Sequence, residues 1–190
     1  MAVQLTAVMI LAIFYGCYFS KMLAQRRKGI QTDQMGKGKT GEARTIELTM
    51  KVTTLLVPLV ELMSIYRNIS GLPGWVRYLG IVLALLGDVV FVISVRTMKD
   101  SWRAGVSETE QTALVTDGIY QLSRNPAFLG FDMVYIGILL MFFHGILLVF
   151  SAAAMFMFHL QIVRVEEPFL DAAFGDDYRE YKKKVNRYLL

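Results

Sequence analysis

The chain has 190 residues, of which 55% are hydrophobic and 19% charged, a balance too apolar for a soluble domain of this length. Its formal charge of +4 comes from clustered Lys and Arg, which in so hydrophobic a chain point to a cytoplasmic face and anionic headgroups rather than nucleic acid. One cysteine, Cys17, and two histidines, His144 and His159, exclude an intramolecular disulfide, a thiolate metal cage and a multi-histidine centre.

Residues 2–20 carry no charge and suffice for a first membrane span. A signal peptide fits poorly, because the first basic cluster follows the apolar run instead of preceding it. The polar, glycine-rich stretch 21–48 reads as a partly flexible linker. Its Gly36-Lys37-Gly38-Lys39-Thr40-Gly41 matches G-x-G-x-x-G on paper. A dinucleotide fingerprint would need a preceding strand, and a basic segment stands there instead. A second span, 47–66, contains Pro58 and Glu61, with Glu61 expected to face other helices. A third, 75–95, opens with Trp75 and Tyr78 as interfacial anchors and carries Asp88. Its Gly80 and Ala84 form a small-residue pair suited to close helix packing. Residues 127–163 are too long for one crossing, and His144-Gly145 predicts a hairpin of spans 127–143 and 145–163.

The fold expected is therefore an all-α polytopic membrane protein, a single domain over 1–190 with five transmembrane helices, a C-terminal helical hairpin and a cytoplasmic cofactor pocket. Lys and Arg are dense in 21–48, 96–126 and 164–190 and sparse in the two other connections. That alternation predicts an N-terminus outside and those three segments in the cytoplasm.

The chemistry-bearing residues flank the predicted hairpin. Ser101-Trp102-Arg103-x-Gly105 opens the second cytoplasmic loop. It reads either as an interfacial Trp with a headgroup-binding Arg, or as an Arg103 that folds over a site to hold a carboxylate. Next come Leu114-Val115-Thr116-Asp117-Gly118-Ile119-Tyr120 and Arg124-Asn125-Pro126-Ala127-Phe128-Leu129-Gly130. Pro126 suits the first turn of a helix, whose exposed N–H groups attract an anion. After the last span stand Arg164, Glu166-Glu167, then Phe174-Gly175, Tyr178, Tyr181 and Val185-Asn186-Arg187.

Across roughly the C-terminal 80 residues this ordered set resembles the isoprenylcysteine carboxyl methyltransferase family and its phospholipid-methyltransferase relatives. The resemblance implies a membrane methyltransferase using S-adenosyl-L-methionine. Cofactor contacts would fall on Thr112, Ala113, Leu114, Val115, Tyr120, Asn125, Pro126, Ala127, Phe128 and Glu166. Arg164, and next to it Arg103, would orient the substrate. Asn125 and Phe128 depart from the family's His and Tyr, so the mechanism should work without a His or Tyr base at those positions.

The expected acceptor is a lipophilic molecule or lipid entering from the bilayer, a carboxylate such as that of a prenylcysteine. The expected setting is a multi-pass protein of a bacterial or archaeal cell membrane, with membrane lipids as partners and neither nucleic acid nor metal. For an amine or phenol acceptor, Glu167, Asp132 or His159 would be the candidate bases. The alternatives are an NADPH-using membrane reductase of the sterol-reductase kind, or a non-enzymatic membrane protein.

Overall fold

The computed structural model describes residues 1–106 and 113–189. Helices α1 (Ala2–Arg27), α2 (Gly41–Arg67) and α3 (Gly74–Met98) are followed by two short 3₁₀ turns, Lys99–Ser101 and Gly118–Gln121. Then come α4 (Pro126–Met141) and α5 (Gly145–Leu160). A π turn, Gln161–Glu166, joins α5 to α6 (Glu167–Lys184). No strand occurs among the described residues, only one isolated bridge between Asp33 and Ala104.

Among the described residues four helical stretches are long and apolar enough to cross a membrane: Ala2–Arg27, Gly41–Arg67, Gly74–Ser101 and the apolar part of Gly145–Lys184. Pro126–Met141 is a fifth, shorter apolar helix. The hairpin break falls at 142–144, close to the expected place. His144 caps α5 by accepting the Leu147 N–H, and its other ring nitrogen meets Ser64 Oγ at 2.7 Å, tying this turn to α2. Leu5, Ile13, Leu59, Val82, Leu86, Ile146 and Val149 all point outward, as lipid-facing positions should.

Around the bundle α1 touches α3, α3 touches α4, α4 touches α5, α5 touches α2, and α2 returns to α1. Small residues set the closest approach. A Cβ built on Gly137 would lie 2.6 Å from Ala84 Cβ and from the Gly80 carbonyl, and one on Gly87 would lie 2.9 Å from the Gly130 carbonyl. The Gly80/Ala84 pair therefore packs against Gly137 of α4 and Gly87 against Gly130, two α4 positions with no bulk to hold the backbones apart.

Two hydrophobic clusters result. Phe14, Phe91 and Ile138 centre one between α1, α3 and α4; Met50, Val57, Tyr135 and Phe158 centre the other between α2, α4 and α5. Phe131 packs against both, 4.6 Å from the Phe14 ring and 5.2 Å from that of Phe158. Glu61 and Asp88 are buried at membrane depth, and their carboxylate oxygens meet no hydrogen-bond donor among the described residues.

Two expectations change here. The 21–48 stretch is mostly helix, and its central loop is pinned. Gln25, fully buried, donates to the Trp102 carbonyl and accepts from Thr32 Oγ1. The Ala104 N–H donates to the Thr32 carbonyl and the Gln34 N–H to that of Ala104, so the loop after α1 and the loop after α3 are stitched together. Gly36, Gly38 and Gly41 all have positive φ, which explains the glycine pattern as turn geometry rather than slack. Trp102 is also no headgroup anchor: it is buried, edge-on to Tyr18 at 5.3 Å.

Candidate active site

A cavity of about 470 Å³ lies where the two clusters diverge toward the loop end of the bundle. Its apolar wall comes from the helices: Tyr15, Tyr18 and Met22 on α1, Met50, Leu55 and Pro58 on α2, then Phe131 and Phe158. Its polar wall comes from the loops and the start of α6: Asp33, Arg103, Arg124, Asn125, Glu166 and Glu167, with Lys51 of α2. That volume falls in the usual range for small-molecule sites.

Of the residues named from sequence, Arg103, Ala113, Leu114, Val115, Tyr120, Asn125, Ala127, Phe128 and Glu166 all line this cavity. Pro126 is buried at the first turn of α4 without lining it. Thr112 lies outside the described residues. Arg164 is exposed and is not part of the lining, since two residues along the π turn carry it to another side than Glu166. Asp132 and His159 also stand off the cavity, and His159 Nδ1 meets the Tyr188 hydroxyl at 3.0 Å.

Residues 120–125 and 181–187 close the polar end as a clasp. The Tyr181 hydroxyl donates to the Tyr120 carbonyl and the Arg124 N–H to the Asn186 carbonyl at 3.0 Å. Ser123 Oγ and Asn125 Nδ2 both donate to the Arg187 carbonyl, at 3.2 and 3.1 Å. At the centre, Glu167 accepts from Arg124 at 2.9 Å and twice from Arg187. Burial pushes the Glu167 carboxyl up, but the Arg187 hydrogen bond and the Arg124 and Arg187 charges outweigh it and hold it below the usual glutamate range. A carboxylate so held is a poor general base.

Glu166 has the opposite environment. Burial pushes its carboxyl up to about 7, against a hydrogen bond from Gln161 that favours the charged form. The nearby Glu47 charge adds to the rise and Lys39 opposes it. The first-turn N–H groups of α4, whose Ala127 and Phe128 line the same cavity, receive no side-chain cap, because Asn125 turns its amide to the C-terminal clasp instead. Arg124 Nε is buried and has no partner among the described residues. One end of the cavity thus offers a carboxylate for a cation, and donors for an anion.

Residues 75–177, more than half of the chain, match the phospholipid methyltransferase family. The chain belongs to that family. It is 28% identical to protein-S-isoprenylcysteine O-methyltransferase A of Arabidopsis thaliana over 137 residues, covering 68% of this chain and 70% of that protein. To the Saccharomyces cerevisiae protein-S-isoprenylcysteine O-methyltransferase it is 34% identical over 109 residues, 56% of this chain and 46% of the yeast protein. The Xenopus laevis enzyme of the same name shares 27% over 143 residues, 74% of this chain and 49% of that protein. The chain thus spans about half the length of the last two. These names favour methyl transfer over the nicotinamide-reductase alternative. All three relatives are eukaryotic and lend nothing to the expected prokaryotic setting.

For a member of the phospholipid methyltransferase family, sequence reasoning found much of the loop side of the cavity wall but assigned to it none of the α1 and α2 residues, Lys51 included, and it gave no role to Arg124, Tyr178 or Tyr181, which also line it. Arg124, Tyr178 and Tyr181 stood inside the recognised motifs. Lys51 sits in a threonine-rich helical stretch that carries no motif.

Proposed function

We propose that this chain transfers a methyl group from S-adenosyl-L-methionine to the carboxylate of a lipophilic, prenylcysteine-like acceptor at the cytoplasmic edge of the membrane. The observation that carries the reading is the division of one cavity into an apolar wall of membrane helices and a charged wall of loops. An amphipathic acceptor matches that division.

The residues fit the cofactor. Glu166 suits its ammonium and sulfonium, and the uncapped α4 N-terminus with Arg124 Nε suits its carboxylate. Ala113, Leu114, Val115, Tyr120 and Phe128 supply apolar and aromatic surface for its remaining bulk. When bound, the cofactor supplies an electrophilic methyl group on a positively charged sulfur.

The chain's own work is then positioning and exclusion of water. Arg103 fixes the acceptor carboxylate, Glu166 fixes the donor, and the aromatic wall keeps the reacting charges poorly solvated. A carboxylate acceptor needs no proton removed. That agrees with Asp132 and His159 standing off the cavity and Glu167 being clamped by two arginines, while Glu166 is committed to the cofactor.

The charge alternation predicts that 21–48, 96–126 and 164–190 share the cytoplasmic side, a reading supported by the contribution of all three to one cavity wall. Detergent-solubilised protein tests the reading. S-adenosylhomocysteine should raise its unfolding temperature and NADPH should not. Labelled methyl transfer to a prenylcysteine should yield a base-labile ester. Stabilisation by NADPH alone, or a methyl group that survives base, would sink the reading.

A further inference from the structure

Glu47 lies in the second turn of α2, fully buried and not part of the cavity lining. Donors from three separate segments converge on it. The buried Lys39 ammonium forms an ion pair with Oε1, the Gly36 N–H donates to Oε2 at 2.6 Å, and the Val106 N–H reaches Oε1 at 3.3 Å. Gln161, also fully buried, donates from Nε2 to Glu47 Oε1 at 3.2 Å and to Glu166 Oε1 at 3.4 Å. An unbroken line of polar contacts therefore runs from the glycine-rich loop to the carboxylate assigned to the cofactor.

Local winding makes the last link. Residues five apart on an α-helix point about 140° away from each other. The wider π turn at Gln161–Glu166 brings these two onto one face. The first link also reaches the cavity, because Asp33 and Met35 of the same loop line it. Stability alone is a weak reason for this arrangement, since a buried ion pair adds little over apolar residues of the same size.

We propose that Lys39, Glu47 and Gln161 are positioning residues that couple the seating of loop 28–40 over the cavity to cofactor binding, by fixing the carboxylate of Glu166. The inference rests on the assignment of Glu166 to the cofactor. Coupling is reciprocal: a seated loop orients Glu166, and a cofactor held by Glu166 keeps the loop seated.

Calorimetric titration of S-adenosylhomocysteine into the full-length protein, as wild type, Gln161→Leu, Glu166→Gln and the double variant, tests it. Gln161→Leu should weaken binding about tenfold in the wild-type background and less than about twofold once Glu166 is Gln. An equal loss in both backgrounds, or no loss in either, overturns the coupling while Glu166 keeps its role. Unchanged binding by Glu166→Gln alone instead overturns the assignment of Glu166, and the inference with it.

If Gln161→Leu fails to fold, the paired change Lys39→Met with Glu47→Gln removes the ion pair with little change of shape, and the same pattern is expected. Limited trypsin cleavage after the exposed Lys37 gives the independent readout. Saturating S-adenosylhomocysteine should slow it at least about fivefold in the wild type and leave it unchanged in Gln161→Leu. Equal cleavage with and without ligand in the wild type overturns the proposal.

Discussion

Arg187 grips Glu167 with two parallel hydrogen bonds, Nε to Oε1 and Nη2 to Oε2, both at 2.8 Å. This pair carries the last turn of the chain back onto the start of α6, and through Arg124 onto the loop before α4. Two guanidinium groups share one carboxylate there, so losing the acid leaves cations facing each other in a largely buried place. Glu167→Ala should therefore destabilise the protein by about 3 kcal/mol. That corresponds to a fall of roughly 6–12 °C in unfolding temperature for a chain of this size. Arg187→Lys should restore only part of what Arg187→Ala loses, because an ammonium cannot reproduce the fork. Glu167→Ala unfolding at the wild-type temperature would show the clasp to be dispensable.

The pH response should come from Glu166. It is an acid raised to about 7, so it is neutral below that pH and charged above it. The proposed contact with the cofactor's ammonium uses the charged form. Affinity for S-adenosylhomocysteine should rise about tenfold between about pH 5.5 and pH 7, and Glu166→Gln should flatten the rise. Stability of the ligand-free protein runs the other way. The folded state holds this proton longer than the unfolded one, so stability falls as pH rises from the ordinary glutamate range to about 7. Affinity that declined over that interval in the wild type would contradict the environment described for Glu166.

Much of this was legible beforehand, and for identifiable reasons. Membrane helices announce themselves by length and hydropathy, so the spans and the 142–144 break followed from the apolar runs and the His-Gly step. Contiguous motifs place their residues together by local geometry, which is why 113–128 and Glu166 could be assigned to one wall. Contacts between distant segments left no such signal. Glu47 looks like an ordinary helix-surface acid in sequence, and Lys39 like part of a solvated basic loop. Only the fold brings them to Gln161. The Trp102-Arg103 step stayed open between two readings for the same reason: an interfacial Trp and a buried one have the same neighbours in sequence.

The seam between α3 and α4 gives a packing test. A methyl group on Gly137 would meet Ala84 Cβ and the Gly80 carbonyl at 2.6 Å, and none of these atoms belongs to a flexible side chain. Gly137→Ala should lower stability by about 1–3 kcal/mol through overpacking. Gly145→Ala, at a position with nothing within 4 Å, should stay within about 0.5 kcal/mol of the wild type. Heat-unfolding curves of both variants in one detergent decide it, and a neutral Gly137→Ala would refute the tight approach.

Orientation rests on charge and can be read by labelling. A cysteine placed at Thr40 should be shielded from an impermeant maleimide in intact cells, and one at Gly71 should react, in a background with Cys17 replaced. Labelling of Thr40 from outside would reverse the assignment of the loop end to the cytoplasm.

The two arginines named from sequence should now behave differently. Arg103 lines the cavity, with Nη1 donating to the carbonyls of Asp100 and Trp102, and those bonds hold its guanidinium at the polar wall. Arg164 is exposed on another side of the π turn. On the proposed reading the cofactor engages Glu166, Arg124 and the α4 N-terminus, and Arg103 engages the acceptor carboxylate. Arg103→Ala should lower methyl transfer at least about tenfold, the equivalent of about 1.4 kcal/mol, while S-adenosylhomocysteine binding stays within about threefold. Arg103→Lys should recover part of the rate, because charge remains but the planar fork does not. Arg164→Ala should keep its rate within about twofold. If the losses fall on Arg164 instead, the acceptor approaches from a side other than this cavity. If neither variant loses activity, a carboxylate acceptor gives way to a neutral amine or phenol.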